Sequence, residues 1–555
     1  MNSVQQPATG SDSTPLTASQ PRPTQHHAVA LESVLALSGA VNNGTPANPQ
    51  VSGVSLDSRS IVGGDLYIAL PGAHTHGARF AAAAIAAGAV AVLTDHDGAH
   101  LLADSLPVPV LSCADPRAVT GAVASLIYGT AETTMPLFAV TGTNGKTTTT
   151  YFLNSLLQAM GKTTGLIGTI EILAGDEPIP SKLTTPESTD VHALLALMAE
   201  RGLDAASMEV SSHALAFGRV DSVVFDMAGF TNLTQDHLDL HGGMEGYFAT
   251  KAQLFTPTRS RHAVVTVDDD WGRRLATEST VPTVTLVTRP SDTPSTGNEH
   301  DAPNWQVSGI QRDGVGSRFE LHGPQGALLR VRTGLPGDFN ISNAALAVVM
   351  VAEQGFVNAP RGEVLATLAQ VLAAHDPFTV DVPGRMQLIG ASPVAVVDFA
   401  HNPDALARAL EAVRSETPGS RVIVVFGATG ERDATKRPIM GAIAVQGADV
   451  VIVTDDDPHN EAPAAIRADV LAGAREANER LGLGRVIEEF DLRASAIVRA
   501  VELAGPDDTI LVAGRGHEIY QEVMGVNIAL DDREELRRAL TRFGFPIASA
   551  SRIES

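Results

Sequence analysis

Leu137-Phe138-Ala139-Val140-Thr141-Gly142-Thr143-Asn144-Gly145-Lys146-Thr147-Thr148 is the stretch on which the reading of the fold turns. Its first four residues form an apolar run ended by a glycine-rich turn, which reads as a buried strand. The residues after the turn, through Tyr151-Phe152-Leu153-Asn154-Ser155-Leu156-Leu157, read as a helix. Strand, glycine-rich loop and helix in that order are the setting a phosphate-binding loop requires. In it the backbone N–H groups curl around a phosphate and the helix N-terminus adds partial positive charge. Lys146 reaches the terminal phosphates, and Thr147 offers a hydroxyl to Mg²⁺. The spacing departs from the usual G-x-x-x-x-G-K-[ST], because Val140 stands where the first glycine would be.

Further strands follow at Ala205–Met208, Val223–Met227 and Ala263–Val267, each leading into polar residues. A Pro/Ser/Thr-rich loop is expected from Thr288 to Pro303. The alternation after it, at Trp305–Ile310, Phe319–His322 and Leu328–Arg332, predicts an antiparallel extension. A long helix starts at Asp338 and ends near Gly355. From about Val380 one unit recurs: the apolar runs Val394–Val397, Val422–Phe426, Val450–Val453 and Ile510–Val512 each open into a polar loop. These are buried parallel strands, and ligands of such sheets bind beyond the carboxyl ends, where those loops fall. Before the phosphate loop, short strands alternating with helical stretches predict a small α/β domain.

The chain has 555 residues, 44% hydrophobic and 18% charged, which predicts about three domains with buried cores. One cysteine, Cys113, excludes a disulfide framework and a Cys-based zinc site. With 63 acidic against 39 basic residues the net charge is −24, so no broad positive field attracts nucleic acid or an anionic membrane. The Ser/Thr/Pro/Gln-rich residues 1–28 read as a disordered extension without a signal-peptide pattern. The longest weakly polar run, Phe80–Leu93, falls short of a membrane span, and Gly88 divides it into a helix and a strand.

Several clusters carry chemistry. Glu209, in Met208-Glu209-Val210-Ser211-Ser212-His213, is placed to be a hard oxygen ligand for Mg²⁺ or for groups around it, and Ser211 can bond a substrate. Asn232-Leu233-Thr234-Gln235-Asp236-His237-Leu238-Asp239 also ends a strand. Either cluster alone could equally cap a helix. Lys251, on its own, reads as a solvated surface charge.

Taken together, Leu56-Asp57-Ser58-Arg59, the Gly142–Thr148 loop, Thr184-Thr185-Pro186, Met208–His213, Asn232–Gly242 and Lys251 form an ordered series of motifs. Pro383-Gly384-Arg385-Met386, Asp398–Pro403, Arg432–Pro438 and Gly514-Arg515-Gly516-His517-Glu518 continue it. The series resembles the ATP-dependent Mur ligases of bacterial cell-wall synthesis, most closely the members that add the third residue of the peptide stem. It spans about Leu56 to Glu534.

The resemblance implies a three-domain α/β ligase of peptidoglycan precursor synthesis. Residues 29–135 would form a small α/β UDP-sugar domain, 136–378 a central P-loop ATP domain with a parallel sheet, and 379–555 a Rossmann-like amino-acid domain. Leu56, Ser58 and the Ala73–Thr75 loop would meet the UDP end. Gly142, Thr143, Asn144, Gly145, Lys146, Thr147 and Thr148 would bind ATP, with Asn340, Arg385 and Asp398 near the nucleotide. Thr184, Thr185, Ser211 and Arg219 would contact the sugar–dipeptide. Two Mg²⁺ ions are implied, the first at Thr147 and Glu209, the second near His237 and a carbamylated Lys251. Lys146, Glu209, His237 and Lys251 would carry the catalysis. The implied partners are UDP-MurNAc-dipeptide and a free amino acid, for a monomer in the cytoplasm that neither binds nucleic acid nor inserts into membranes. Phe217 stands where relatives often have a substrate-contacting Gln, so that contact is lost or replaced.

The amino acid is read from Asp456-Asp457-Pro458-His459. Family members that add meso-diaminopimelate typically carry Asp-Asn-Pro-Arg there, the Arg gripping the distal carboxylate. Histidine lacks that bidentate fork and Asp457 adds negative charge, so L-lysine or L-ornithine is expected. Arg432 is left for the α-carboxylate and Glu518 for an amine, and Gly514 is counted among the substrate-binding residues. Other readings stay open: the D-Ala-D-Ala-adding Mur enzyme, a folylpolyglutamate synthetase, or an ATP-binding switch that ligates nothing.

Overall fold

The computed structural model describes residues 22–24, 27–72, 74–102, 106–179, 183–236, 238–289 and 304–548. Most of the expected extension, Ala73, His237 and most of the Thr288–Pro303 loop lie outside the described residues. Three main sheets carry the chain, each combined with helices in the α/β architecture expected from the sequence. By contacts it divides into two compact units, the first ending at Thr133 but also taking in Glu187–Glu200 and Asp221–Val223. A cut by sequence position alone therefore misassigns the helix Ser188–Glu200, whose Ala193 belongs to the first unit's core.

In the first unit the strands Gly53–Ser55, Asp65–Ala69, Ala91–Thr94 and Val110–Ser112 lie parallel and in that order. Gly88 does separate the helix Ala81–Ala86 from the strand Ala91–Thr94. Arg22 departs from the expectation of a disordered extension through residue 28. Its guanidinium grips the buried Asp65 carboxylate at 2.6 and 2.8 Å and reaches the Ser60 carbonyl at 3.4 Å. A charge-assisted pair of this kind, one guanidinium nitrogen shared by both carboxylate oxygens, offsets the entropy of ordering the arm.

The second unit holds an 11-stranded sheet and a 6-stranded sheet. In the larger, Leu137–Thr141 lies between Ala205–Glu209 and Phe225–Phe230, parallel to both. The crossover from this strand runs to one side of the sheet and that from Ala205–Glu209 to the other, which opens a crevice at their carboxyl ends. The antiparallel extension is present as Trp305–Asp313, Gly316–His322 and Leu328–Thr333.

The helix Asp338–Asn358 packs across this sheet, burying Leu346, Val348, Val349 and Met350, each side chain contributing roughly 1.5–3 kcal/mol. Gly229 gives it room, since a Cβ there would come within 2.5 Å of the Met350 sulfur. Among the described residues it is the one helix long and apolar enough to cross a membrane, and 67% of its most apolar stretch is buried. It is longer than the weakly polar run Phe80–Leu93, which falls short of a span. Asn343, Glu353 and Gln354 interrupt the later one, and its burial assigns it to a core.

In the 6-stranded sheet Val394–Asp398, Thr509–Ala513, Val422–Phe426 and Val450–Val453 are adjacent and parallel, as the repeated unit predicts. The strands Gln387–Ala391 and Val486–Glu489 add to the two edges. Thr509–Ala513 returns between the first and second of the four, which brings the Asp398 and Gly514 loops together: Gly514 N donates to Asp398 O at 3.1 Å.

Candidate functional site

The Gly142–Gly145 loop leaves its strand in left-handed backbone, with φ of +145° at Gly142 and +90° at Gly145. A Cβ at Gly145 would come within 2.4 Å of Asn343 Oδ1, so the position suits glycine by both conformation and space. Asn343 Nδ2 donates to Asn340 Oδ1 at 3.0 Å, and Asn340 Nδ2 to Pro336 O at 2.8 Å. Asn340 thus reaches the loop through Asn343. On the other flank Thr143 N donates to Asn232 O at 2.9 Å, and Thr231 Oγ1 to Asn144 O at 2.7 Å.

Lys146 folds back over the loop, donating to Gly142 O at 3.0 Å and Thr143 O at 2.8 Å. Burial holds its ammonium below the ordinary lysine value. Thr147 and Thr148 are buried in the first turn of the helix. Thr147 Oγ1 donates to Glu209 Oε2 at 2.8 Å, and Thr169 adds N–H and hydroxyl donors to the same carboxylate at 2.8 and 3.0 Å. These three bonds satisfy the fully buried carboxylate. Thr169 was missed by the sequence reading, since nothing in its neighbourhood resembles a motif.

Thr147 and Glu209 are hard oxygen donors at the mouth of a phosphate loop. They fit Mg²⁺, which commonly takes one or two protein ligands and completes its shell with phosphates and water. Among the described residues no group of three or more His, Cys, Asp or Glu would hold an ion unaided. His237, expected with Lys251 near the second ion, lies outside the described residues.

Lys251 overturns the reading of a surface charge. The residue is 1% exposed, and its Nζ donates to Gly142 O at 2.7 Å and lies 4.7 Å from the centre of the Tyr247 ring. Burial pushes its ammonium well below the ordinary value, nearby Lys146 pushes the same way, and Asp236 opposes them. The signal that could have located it is its helical spacing from buried Tyr247 and Phe248.

A cavity of about 520 Å³ joins the loop to Glu209, Arg219, Asn340, Arg385 and Asp398. Asp398 accepts from Met386 N at 2.7 Å and Ala400 N at 2.9 Å, and burial raises its carboxyl above the ordinary value. The Arg385 guanidinium stacks 4.2 Å over the Phe399 ring and is lowered by burial. Thr184 and Ser211 line the same cavity; Thr185 Oγ1 donates to Glu209 O at 2.8 Å. The Arg219 guanidinium lies 5.8 Å from the centre of the Phe217 ring, within cation–π range.

A second cavity, about 270 Å³, is formed by the four carboxyl-end loops of the 6-stranded sheet, with Arg432, Asp456, His459, Gly514 and Glu518 among its walls. Asp236, Phe399, His401 and Arg432 border both cavities. Gly514, at φ +114°, lets the chain pass so close that a Cβ would lie 2.5 Å from Asp456 Oδ2. Burial, with Asp456 adding repulsion and Arg515 opposing, pushes the Glu518 carboxyl up to about 8.

Asp457 lines this cavity as well, and the fully buried Arg515 pairs with its charge. Lys436 was also missed: it is buried, donates to His401 O at 2.9 Å and lines this cavity. In the first unit Leu56 and Ser58 are half-buried on the turn after Gly53–Ser55, where Arg59 caps Asp57.

The chain matches three family models: "Mur ligase family, catalytic domain" over residues 50–127, "Mur ligase middle domain" over 140–351, and "Mur ligase, glutamate ligase domain" over 384–516. It is 44% identical over 526 residues to a UDP-N-acetylmuramyl-tripeptide synthetase of Leifsonia xyli subsp. xyli, covering 94% of this chain and 98% of the relative. It is 44% identical over 497 residues to a UDP-N-acetylmuramoyl-L-alanyl-D-glutamate–2,6-diaminopimelate ligase of Streptomyces coelicolor, covering 89% and 93%. Among solved structures, a ligase of that second name aligns at TM-score 0.58 and 30% identity over 90% of this chain and 96% of its own. MurF of Acinetobacter baumannii, at 18% identity and TM-score 0.61 over 88% and 96%, shares the fold.

Proposed function

The chain belongs to the Mur ligase family, and from that premise we propose that it is an ATP-dependent ligase adding a diamino acid to the D-Glu γ-carboxyl of UDP-MurNAc-L-Ala-D-Glu. The observation that carries this is the shared border of the two cavities, where Asp236, Phe399, His401 and Arg432 separate a phosphate loop from an acid-lined chamber. A carboxylate is a poor acyl donor, because its leaving group would be an oxide. Its oxygen attacks the γ-phosphorus of ATP and ADP leaves; the amine then attacks the acyl carbon, and phosphate departs with that oxygen.

Two anions must meet in the first step, so local cations decide the rate. Lys146, Arg385 and the loop N–H groups supply fixed positive charge, and Mg²⁺ held by Thr147 and Glu209 would add Lewis-acid neutralisation when bound. Lys251 suits carbamylation, since its lowered basicity favours the neutral amine that adds CO₂. The carbamate would turn a buried cation into an oxygen ligand. The remaining assignments follow the family pattern: Leu56 and Ser58 to the UDP end, Thr184, Thr185, Ser211 and Arg219 to the sugar–dipeptide. The setting proposed is a monomeric cytoplasmic enzyme of peptidoglycan precursor synthesis.

For the incoming amino acid we favour L-lysine or L-ornithine. Asp456 and Glu518 line the chamber and His459 takes the place of an arginine; the Asp457–Arg515 pair removes one of the charges that pointed the same way. The diaminopimelate ligase of S. coelicolor favours the other choice by its name. ADP release that requires both the UDP-dipeptide and an amino acid would establish the ligase. Release without them would leave an ATPase or switch, and preferred turnover of meso-diaminopimelate would reject lysine and ornithine.

A further inference from the structure

Arg432 sits on a short loop whose two flanks are held by one carboxylate from the loop beside it. On the near flank Glu431 N donates to Glu461 Oε1. On the far flank Arg437 Nη2 donates to Glu461 Oε1 at 2.9 Å and Oε2 at 2.8 Å. The Glu431 N–H, and after it Arg437, hold the Glu461 carboxyl below the ordinary value. The two loops meet again at Gly430, whose N donates to Asp457 O at 2.8 Å and where a Cβ would come within 2.1 Å of Pro458 O. Asn460 Nδ2 closes the set by donating to Glu431 Oε1 at 3.0 Å. Glu431, held in this way, lies in left-handed backbone at φ +52°, which non-glycine residues rarely adopt. Arg432 follows it directly and lines the smaller cavity.

We propose that Glu461 is a positioning residue for the ligation: by holding Glu431 in left-handed backbone it aims Arg432 at the α-carboxylate of the incoming amino acid. This rests on the reading of the smaller cavity as the amino-acid site. A guanidinium meets a carboxylate through a planar fork, so a misplacement of about 1 Å weakens the contact. A non-glycine residue stays left-handed only where its surroundings over-determine it, and here the N–H of that residue is itself bonded. Without the Glu461 acceptor Glu431 can relax, and the side chain after it swings away. The fold does not depend on the same bond. Arg437, its side chain 4% exposed, keeps Asp469 at 3.1 Å as a partner when Glu461 is removed, so no buried charge is stranded.

The test measures KM for amino acid, ATP and UDP-dipeptide one at a time in the intact enzyme. L-Lysine, L-ornithine and meso-diaminopimelate share the α-carboxylate, so whichever of them is turned over serves as the probe. Glu461→Ala is expected to raise the amino-acid KM about 10-fold, with the other two constants within about twofold of the parent. Glu461→Gln keeps a carbonyl acceptor for the Glu431 N–H and is expected to lose about threefold or less. Adding Glu431→Gly to Glu461→Ala is expected to recover most of the loss, because glycine takes left-handed backbone without the bond. An amino-acid KM within about twofold of the parent in Glu461→Ala, an equal rise in all three constants, or a double variant no better than the single one would overturn the proposal. Arg432→Ala separates the two levels of the argument. If it raises the amino-acid KM and Glu461→Ala does not, the role of Glu461 alone is refuted. If neither variant raises it, the cavity is not the amino-acid site and both readings fall.

Discussion

Lys251 Nζ sits 2.7 Å from the carbonyl oxygen of Gly142, the residue that opens the phosphate loop. An amine at 1% exposure with a carbonyl, an aromatic ring and a second lysine for neighbours is costly to keep charged, and that cost has a use if the amine is destined to react with CO₂.

Lys251→Ala should therefore reduce ligation by roughly 100-fold or more, the loss expected when a group stabilising transferring charge is removed. Added short-chain carboxylate should recover part of it by occupying the vacated space with oxygen ligands. Full activity in the unassisted variant would refute the carbamate role.

Gly145→Ala tests the loop itself. The new methyl would meet Asn343 Oδ1 in backbone at φ +90°, where a β-carbon is strained. Strain of about 1–3 kcal/mol predicts a KM for ATP raised by about 5-fold or more, with the UDP-dipeptide KM little changed. Titration of each substrate in turn reads the difference.

Arg493 and Asp532 form a pair with neither side chain exposed, closed by bonds of 2.8 Å, and Arg493 also donates to Ala513 O at 2.7 Å beside Gly514. Removing one partner leaves an uncompensated buried charge, so Asp532→Ala should cost about 3–5 kcal/mol of stability. Chemical denaturation measures it; a change under about 1 kcal/mol would mean that the pair contributes little.

Much of this was legible in the chain. The Leu137–Thr148 stretch and the four apolar runs of the last segment announced themselves because parallel strands buried on both faces are continuous apolar stretches, and their ligand loops follow at once. What stayed hidden depended on distance in space. The burial of Lys251 comes from Tyr247 and from a loop more than a hundred residues away, and the neutralisation of Asp457 comes from Arg515. Arg22 read as part of a floppy arm because its partner, Asp65, lies beyond any local pattern. The helix Ser188–Glu200 sits in the middle of the sequence of the second unit yet packs with the first, which no cut along the chain would reveal.

Glu518 predicts a pH effect of definite sign. Its carboxyl is raised from 4.5 to about 8, so the folded chain binds that proton more tightly than the unfolded chain. The resulting stabilisation is complete below 4.5 and is lost as pH rises through about 8. Glu518→Gln should flatten the stability profile across that window. In the parent enzyme, a bound ammonium should expel the proton near pH 7, visible as a dependence of the calorimetric binding heat on buffer ionisation. An unchanged profile in the variant would remove Glu518 as the titrating group.

The central claim is that the substrate's own carboxylate oxygen leaves with the phosphate. UDP-MurNAc-dipeptide labelled with oxygen-18 in the D-Glu γ-carboxylate, turned over with ATP and amino acid, measures this directly by mass spectrometry of the released phosphate. The account predicts one labelled oxygen in each phosphate, formed in step with the amide. Unlabelled phosphate accompanying amide formation would contradict it.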